Sequence, residues 1–418
     1  MKENNKDNFP GDVEPRKINA VICSHAHVDH SGALPYLYIS SRPNCYMTAT
    51  TRMLVKYLLD DMLNISGPTL PFEEIELRNL MKTVQVVNEF GKSVKIPGAT
   101  GCSFTFHDAG HIPGSIMTVI TMGGKNILYT GDLNTIDTRL QWAAKTNRFP
   151  LLDAVITEST YSQVTHPPRQ ETEQRFVTAV KDVLDRGGQV LIPAFGVARS
   201  QEILAVLQTI GSFHNKKIII DGMARDISED LLKHSDTLRT VYSMNRVTMV
   251  KTKKTREDRL KALETGDIII APSGMLKGGT ARYYVENMID DPDNAVFLVS
   301  YQVKGTPGQV LLDEHRYETE MDDDRGSSFN RGKNDTAKQK VEIKVKAQVE
   351  RFDFSSHCDG PELLKFLKGL KFNPDTHDPK IYCVHGDPDS CDFLAKAIGE
   401  QIKGVAPVVP KFGEEFTI

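Results

Sequence analysis

The block His25-Ala26-His27-Val28-Asp29-His30 constrains this chain more than any other feature. Three imidazoles and one carboxylate fall within six residues of a chain that has twelve histidines in all. The block follows directly on Ile18–Ser24, a short apolar run that reads as a buried strand. A turn at a strand end can aim several side chains to one side. Neutral imidazole and carboxylate are ligands that zinc prefers. The helical HExxH pattern is absent, and the six cysteines include no CxxC pair. The block therefore points to a metal held at the edge of a sheet.

One block cannot close a hydrolytic two-metal site, so further ligands must come from other strand ends. Three places qualify. His111 follows the run Ser103–Phe106 in HDAGHIPGS, Asp132 ends NILYTGD, and His385 ends KIYCVHGD. Each lies where a strand gives way to a Gly-containing turn. Ile116–Met122 and Asn126–Tyr129 flank Gly123-Gly124 and predict a hairpin whose second strand runs into Asp132. Asp153–Thr157 predicts another strand, ending at Glu158.

From about residue 165 the rhythm changes to strands alternating with helices: VLIPAF, RSQEILAVLQ, KIIID, ARDISEDLLKH, DIIIAPSG, ARYYVENMI and AVFLVSY. This predicts a parallel α/β sheet forming a second domain inserted into the first. The expected boundaries are 1–164, 165–350 and 351–418. Asp322–Lys340 is polar and rich in Gly and Ser, and is expected to be a mobile loop.

Composition narrows the function classes. A net charge of −4 argues against a protein that coats nucleic acid by bulk electrostatics, but leaves room for a local basic groove. Six scattered cysteines suit a reduced setting. No run approaches the roughly 20 apolar residues of a membrane span, and the polar N-terminus has no signal-peptide core. A cytoplasmic protein without a membrane partner is expected.

HxHxDH at 25–30, His111 and Asp132 resemble motifs two to four of the metallo-β-lactamase superfamily. TEST at 157–160, FSSHCD at 354–359 and VHGD at 384–387 resemble motifs A, B and C of its β-CASP branch. PAFGVARSQEIL, APSGMLKGG and SYQVKGTPGQ resemble further family segments. Within the branch the chain is most similar to archaeal and bacterial homologues of the cleavage and polyadenylation specificity factor nuclease, and more distantly to RNase J. The resemblance starts at about residue 17; two or three strands that usually precede HxHxDH are not readable, so a chain shortened at its N-terminus is expected.

The resemblance implies an α/β fold, a metallo-β-lactamase αββα sandwich with an inserted β-CASP domain. It implies two Zn2+ ions per chain, one held by His25, His27 and His111, the other by Asp29, His30 and His385, with Asp132 bridging. Asp29, Glu158 and His357 are the expected catalytic groups. Glu158 would hold His357 protonated, and His357 would act as general acid. Arg199, Ser200, Ser273 and Gly274 lie on turns before helices and are expected to bind substrate phosphate, since backbone N–H groups and Arg suit anions. Plain helix capping by the serines competes with that reading. A zinc-dependent ribonuclease of single-stranded RNA follows, mainly endonucleolytic with possible 5′-to-3′ exonuclease activity. A homodimer and membership of an RNA-processing complex are the expected assemblies. The competing functions are an inactive scaffold subunit of such a complex and a small-molecule hydrolase of the same fold.

Overall fold

The computed structural model describes residues 9, 13–145, 149–211, 213, 215–245, 247–250, 256–321 and 339–418. These form two compact units, one of Met1–His166, His234–Thr240 and Ser356–Ile418, the other of Pro167–Lys233 and Val241–Ser355.

The first unit opens with β1 (Ala20–Ile22), β2 (Asn44–Met47), β3 (Val84–Val86), β4 (Ser93–Lys95), β5 (Ser103–Asp108), β6 (Ile116–Met122), β7 (Lys125–Tyr129) and β8 (Ala154–Glu158). Strands β1, β2 and β3 form a parallel three-stranded sheet. The β6–β7 turn at Gly123-Gly124 has φ of 57° and 79°. Two successive positive φ values suit a tight hairpin turn, which the glycines adopt without steric cost.

The second unit supplies β9 (Val190–Pro193), β10 (Ile218–Asp221), β11 (Val247–Val250), β12 (Ile268–Ala271), β13 (Ala295–Leu298), β14 (Arg316–Met321), β15 (Gln339–Lys344) and β16 (Gln348–Arg351). Six of these make one sheet in the order β11-β10-β12-β9-β13-β16, parallel throughout. Its β9, β10, β12 and β13 strands are buried at every position. Continuous apolar strands of this kind need helices on both faces, as the alternating sequence pattern predicts. Strands β14 and β15 pair as an antiparallel ribbon. The expected loop 322–340 lies outside the described residues, apart from its last two, which open β15.

The chain closes in the first unit with β17 (Lys380–Val384) and β18 (Ala406–Val408). The large sheet there runs β18-β17-β8-β7-β6-β5-β4. One face packs on the three-stranded sheet through Tyr46, Phe104, Phe106 and Ile116. The other face, with Met117, Leu128, Val155 and Ile381, packs on Leu363 and Leu367 of the helix Gly360–Lys368 and on Leu394 and Ile398 of the helix Pro388–Gln401. On the outer side of the small sheet the helices Ala49–Ser66 and Glu74–Thr83 bury Leu54, Leu59, Leu77 and Leu80. This is a helix–sheet–sheet–helix sandwich. Among the described residues, no helix is long and apolar enough to cross a membrane.

Candidate metal centre

The turns that leave β1, β5, β7 and β17 converge in the first unit. His25 and Asp132 are almost fully buried, and their Nε2 and Oδ2 atoms lie 3.4 Å apart. His27 and His111 face each other through Nδ1 and Nε2 at 3.1 Å. His30 and His385 face each other through their Nε2 atoms at 3.0 Å. Asp132 Oδ1 lies 3.3 Å from His30 Nε2 and 3.3 Å from His385 Nδ1. Asp29 Oδ2 lies 3.4 Å from His385 Nε2. Three groups of ligand atoms result, His25, His27, His111 and Asp132 in one, Asp29, His30 and His385 in the second, and Asp132, Glu158 and His357 in the third, with each group's atoms within 4.8 Å of one another.

Local backbone explains how they are aimed. Gly110 and Gly131 immediately precede His111 and Asp132 and have φ of 68° and 53°. That left-handed conformation is costly for a residue with a Cβ. At Gly110 a Cβ would also meet the Asn134 carbonyl oxygen at 2.5 Å. The Ser115 hydroxyl accepts from the amides of His111 and Ile112, both at 3.2 Å, and closes the turn. His111 Nδ1 donates to the Ser356 carbonyl at 2.8 Å. That bond fixes the tautomer and leaves the Nε2 lone pair for the cluster.

The electrostatics suit a cation. Burial holds His25 and His111 well below the usual imidazole range and takes His27 to about 4, so all three are neutral at pH 7. Burial pushes the Asp132 carboxyl upward, but the imidazoles packed around it, His30 first, outweigh that and hold it well below the usual carboxylate range. His25 Nε2 and Asp132 Oδ1 are buried without a hydrogen bond. Buried polar atoms are ordinarily paired, and a metal ion accounts for both orphans and for the facing imidazole nitrogens. The donor set of imidazole and carboxylate fits zinc.

Glu158, at the end of β8, is buried beside this cluster. Its Oε2 accepts from His357 Nδ1 at 2.9 Å, and its Oε1 accepts from the Leu133 amide at 2.7 Å. Burial pulls the His357 pKa down, but the Glu158 charge and hydrogen bond outweigh it and leave the pKa raised. The His357 ring lies 4.4 Å from that of His111.

Residues 9–173 match the model of the metallo-β-lactamase superfamily, 200–311 that of the β-CASP domain, and 342–410 that of a Zn-dependent metallo-hydrolase RNA specificity domain. RNase aCSPSF2 of Saccharolobus solfataricus is 35% identical, over 100% of this chain and 78% of its own length. The chain belongs to the β-CASP family of metallo-β-lactamase-fold hydrolases. The probable RNase MJ4 of Methanocaldococcus jannaschii, a further similar protein, is 32% identical over 96% of this chain and 89% of its own length. The transcription termination factor FttA of Pyrococcus abyssi is 32% identical over 91% of this chain, which spans 59% of that protein.

In this β-CASP chain the four expected substrate residues lie within the second unit. Arg199 and Ser200 open the helix Arg199–Thr209, just after Ala198 at φ 64°. Ser200 is fully buried and donates its hydroxyl to the Phe195 carbonyl at 2.7 Å. Ser273 and Gly274 lie on the turn after β12, and a Cβ at Gly274 would come 2.6 Å from Ser300 Oγ. His107 packs its ring 4.7 Å from that of Phe149. Ser115, the Leu133 amide, the Ser356 carbonyl and Thr160, whose hydroxyl lies 3.2 Å from His385 Nδ1, carry supporting contacts that sequence reasoning missed. Two of the four act through backbone atoms, which leave no residue-type signal.

Proposed function

We propose that this chain is a two-zinc ribonuclease that hydrolyses phosphodiester bonds of single-stranded RNA, mainly by internal cutting and also by 5′-to-3′ trimming. One observation carries the reading. Asp132 stands between two groups of ligands, and an imidazole braced by a buried carboxylate stands beside them. His25, His27 and His111 would hold one ion, Asp29, His30 and His385 the other, with Asp132 shared.

Zinc bound there would supply an activated water and neutralise charge on the phosphate oxygens. The rest falls to the protein. Glu158 accepts the Nδ1 proton of His357, so Nε2 is the atom that gives a proton to the leaving oxygen. The Glu158 charge and hydrogen bond raise the His357 pKa against its burial and so favour the protonated ring. Arg199, Ser273 and Gly274 are read as phosphate contacts, with Ser200 shaping the Arg199 turn through its bond to Phe195. The names of the relatives, two of them RNases, agree with an RNA substrate.

End-labelled single-stranded RNA, incubated with the purified chain with and without a chelator, tests the reading. Metal-dependent cuts are expected, and product lengths separate internal cutting from trimming. A folded, zinc-loaded chain that leaves the RNA intact would overturn it and favour the scaffold function.

A further inference from the structure

The second unit carries an exposed aromatic feature that the metal chemistry does not use. Phe195 follows β9 and is 40% exposed, and Tyr301 follows β13 and is 50% exposed. Strands β9 and β13 are parallel neighbours, so both residues leave the same, C-terminal edge of the sheet. Gly274, on the turn after β12, ties them together. A Cβ there would meet Ser300 Oγ at 2.6 Å and the Phe195 backbone nitrogen at 3.4 Å, so the two aromatic residues flank a close backbone approach. Large apolar side chains held at a solvent-facing edge mark an interaction surface.

Charge identifies the occupant. The turns 194–199, 272–279 and 299–306 contain Arg199, Lys277 and Lys304 and no acidic residue. Lys277 and Lys304 are exposed. Arg351, at the end of β16, places its guanidinium 5.9 Å over the Tyr301 ring. Aromatic faces beside cation-bearing turns that contain no acidic residue suit a polyanion that also presents flat apolar faces. Single-stranded nucleic acid has both, since a cationic track follows its phosphates and aromatic side chains stack on its bases. Duplex bases are already stacked on each other, and an acidic protein segment offers no comparable series of faces.

We infer that Phe195 and Tyr301 form a stacking platform for unpaired bases, beside turns whose cations follow the phosphates. The inference rests on the ribonuclease reading and adds to it the part of the substrate that is recognised, the base rather than the backbone alone.

The test uses the metal-loaded protein carrying His357→Ala, so that RNA stays intact. Binding of a short labelled single-stranded RNA is compared with binding of the same strand made abasic. Phe195→Leu and Tyr301→Leu keep apolar bulk but lose the ring, and Tyr301→Phe restores it. Each Leu variant is expected to weaken binding of the base-bearing strand roughly 5- to 100-fold, to bind the abasic strand as its parent does, and to keep the parent's unfolding midpoint. Tyr301→Phe is expected to bind like the parent. Unchanged binding in the Leu variants, or an equal loss on the abasic strand, overturns the platform while leaving the nuclease reading standing. A parent protein that binds no RNA overturns both.

Discussion

Glu158 accepts a hydrogen bond from His357 at 2.9 Å, while its other oxygen takes the amide of Leu133, the residue after Asp132. One buried carboxylate thus joins the expected proton donor to the turn that presents Asp132. His357 lies outside the two groups of ligand atoms built on HxHxDH, His111, Asp132 and His385; it forms a third group with Asp132 and Glu158, in which its Nδ1 is taken by Glu158. His357→Ala should therefore retain zinc and lose about 10²- to 10⁴-fold in cleavage rate, the usual share of a general acid. Zinc content and single-turnover rate on the same preparation check this; loss of metal would mean that His357 is a ligand.

Glu158→Gln keeps an acceptor for His357 and removes the charge. The Glu158 charge and hydrogen bond are what raise the His357 pKa against its burial. The acid form is lost as pH rises through that pKa. The variant should therefore lose cleavage at a lower pH than the parent, with the alkaline limb of the rate profile shifted down. An unshifted limb would remove Glu158 from the proton-transfer account.

Asp29 offers a measurement on the metal-free protein. Its hydrogen bond is the main reason that His385 is raised to about 9, against a smaller opposing effect of burial. At pH 7 without metal, His385 should carry a proton and lose it only as pH rises toward about 9. In Asp29→Asn that titration should move down toward the ordinary imidazole range. NMR of the ring resonance, assigned with a His385 variant, reads the change.

Gly110→Ala should destabilise the fold by more than about 1 kcal/mol, the cost of a Cβ where φ is positive. The added carbon would stand 2.5 Å from the Asn134 carbonyl oxygen and 2.7 Å from the Ala144 nitrogen. Those two atoms share a hydrogen bond of 2.8 Å, so the methyl would wedge into it. Chemical denaturation checks the loss. A stability equal to the parent's would show that the turn before His111 adjusts freely.

Much of the centre was legible because its ligands sit at the ends of apolar strands, where a Gly turn follows. That logic picks out His111, Asp132 and His385 from regions far apart in sequence, and the structure brings them beside His25, His27, Asp29 and His30. The hairpin at Gly123-Gly124 and the alternating elements of the second unit were legible for similar reasons, tight turns and buried strands. Residues 44–95 were not. Their strands Asn44–Met47, Val84–Val86 and Ser93–Lys95 are too short to show a period, and the helix Ala49–Ser66 buries Thr50 and Thr51 alongside its leucines, which blurs its apolar stripe. The run VLIPAF reads as strand to Phe195, but the strand ends at Pro193, and Phe195 stands exposed. Sequence could not tell a buried apolar residue from an aromatic one held out at a sheet edge.

Asp132 is proposed to be shared between two metals that drive RNA cleavage. Titrating zinc into metal-free protein, while measuring bound zinc and RNA cleavage together, tests it most directly. Two zinc ions per chain are expected, with cleavage that appears only when both are bound and with loss of both zinc and cleavage in Asp132→Ala. Full zinc occupancy in Asp132→Ala, or RNA cleavage by the metal-free chain, would contradict it.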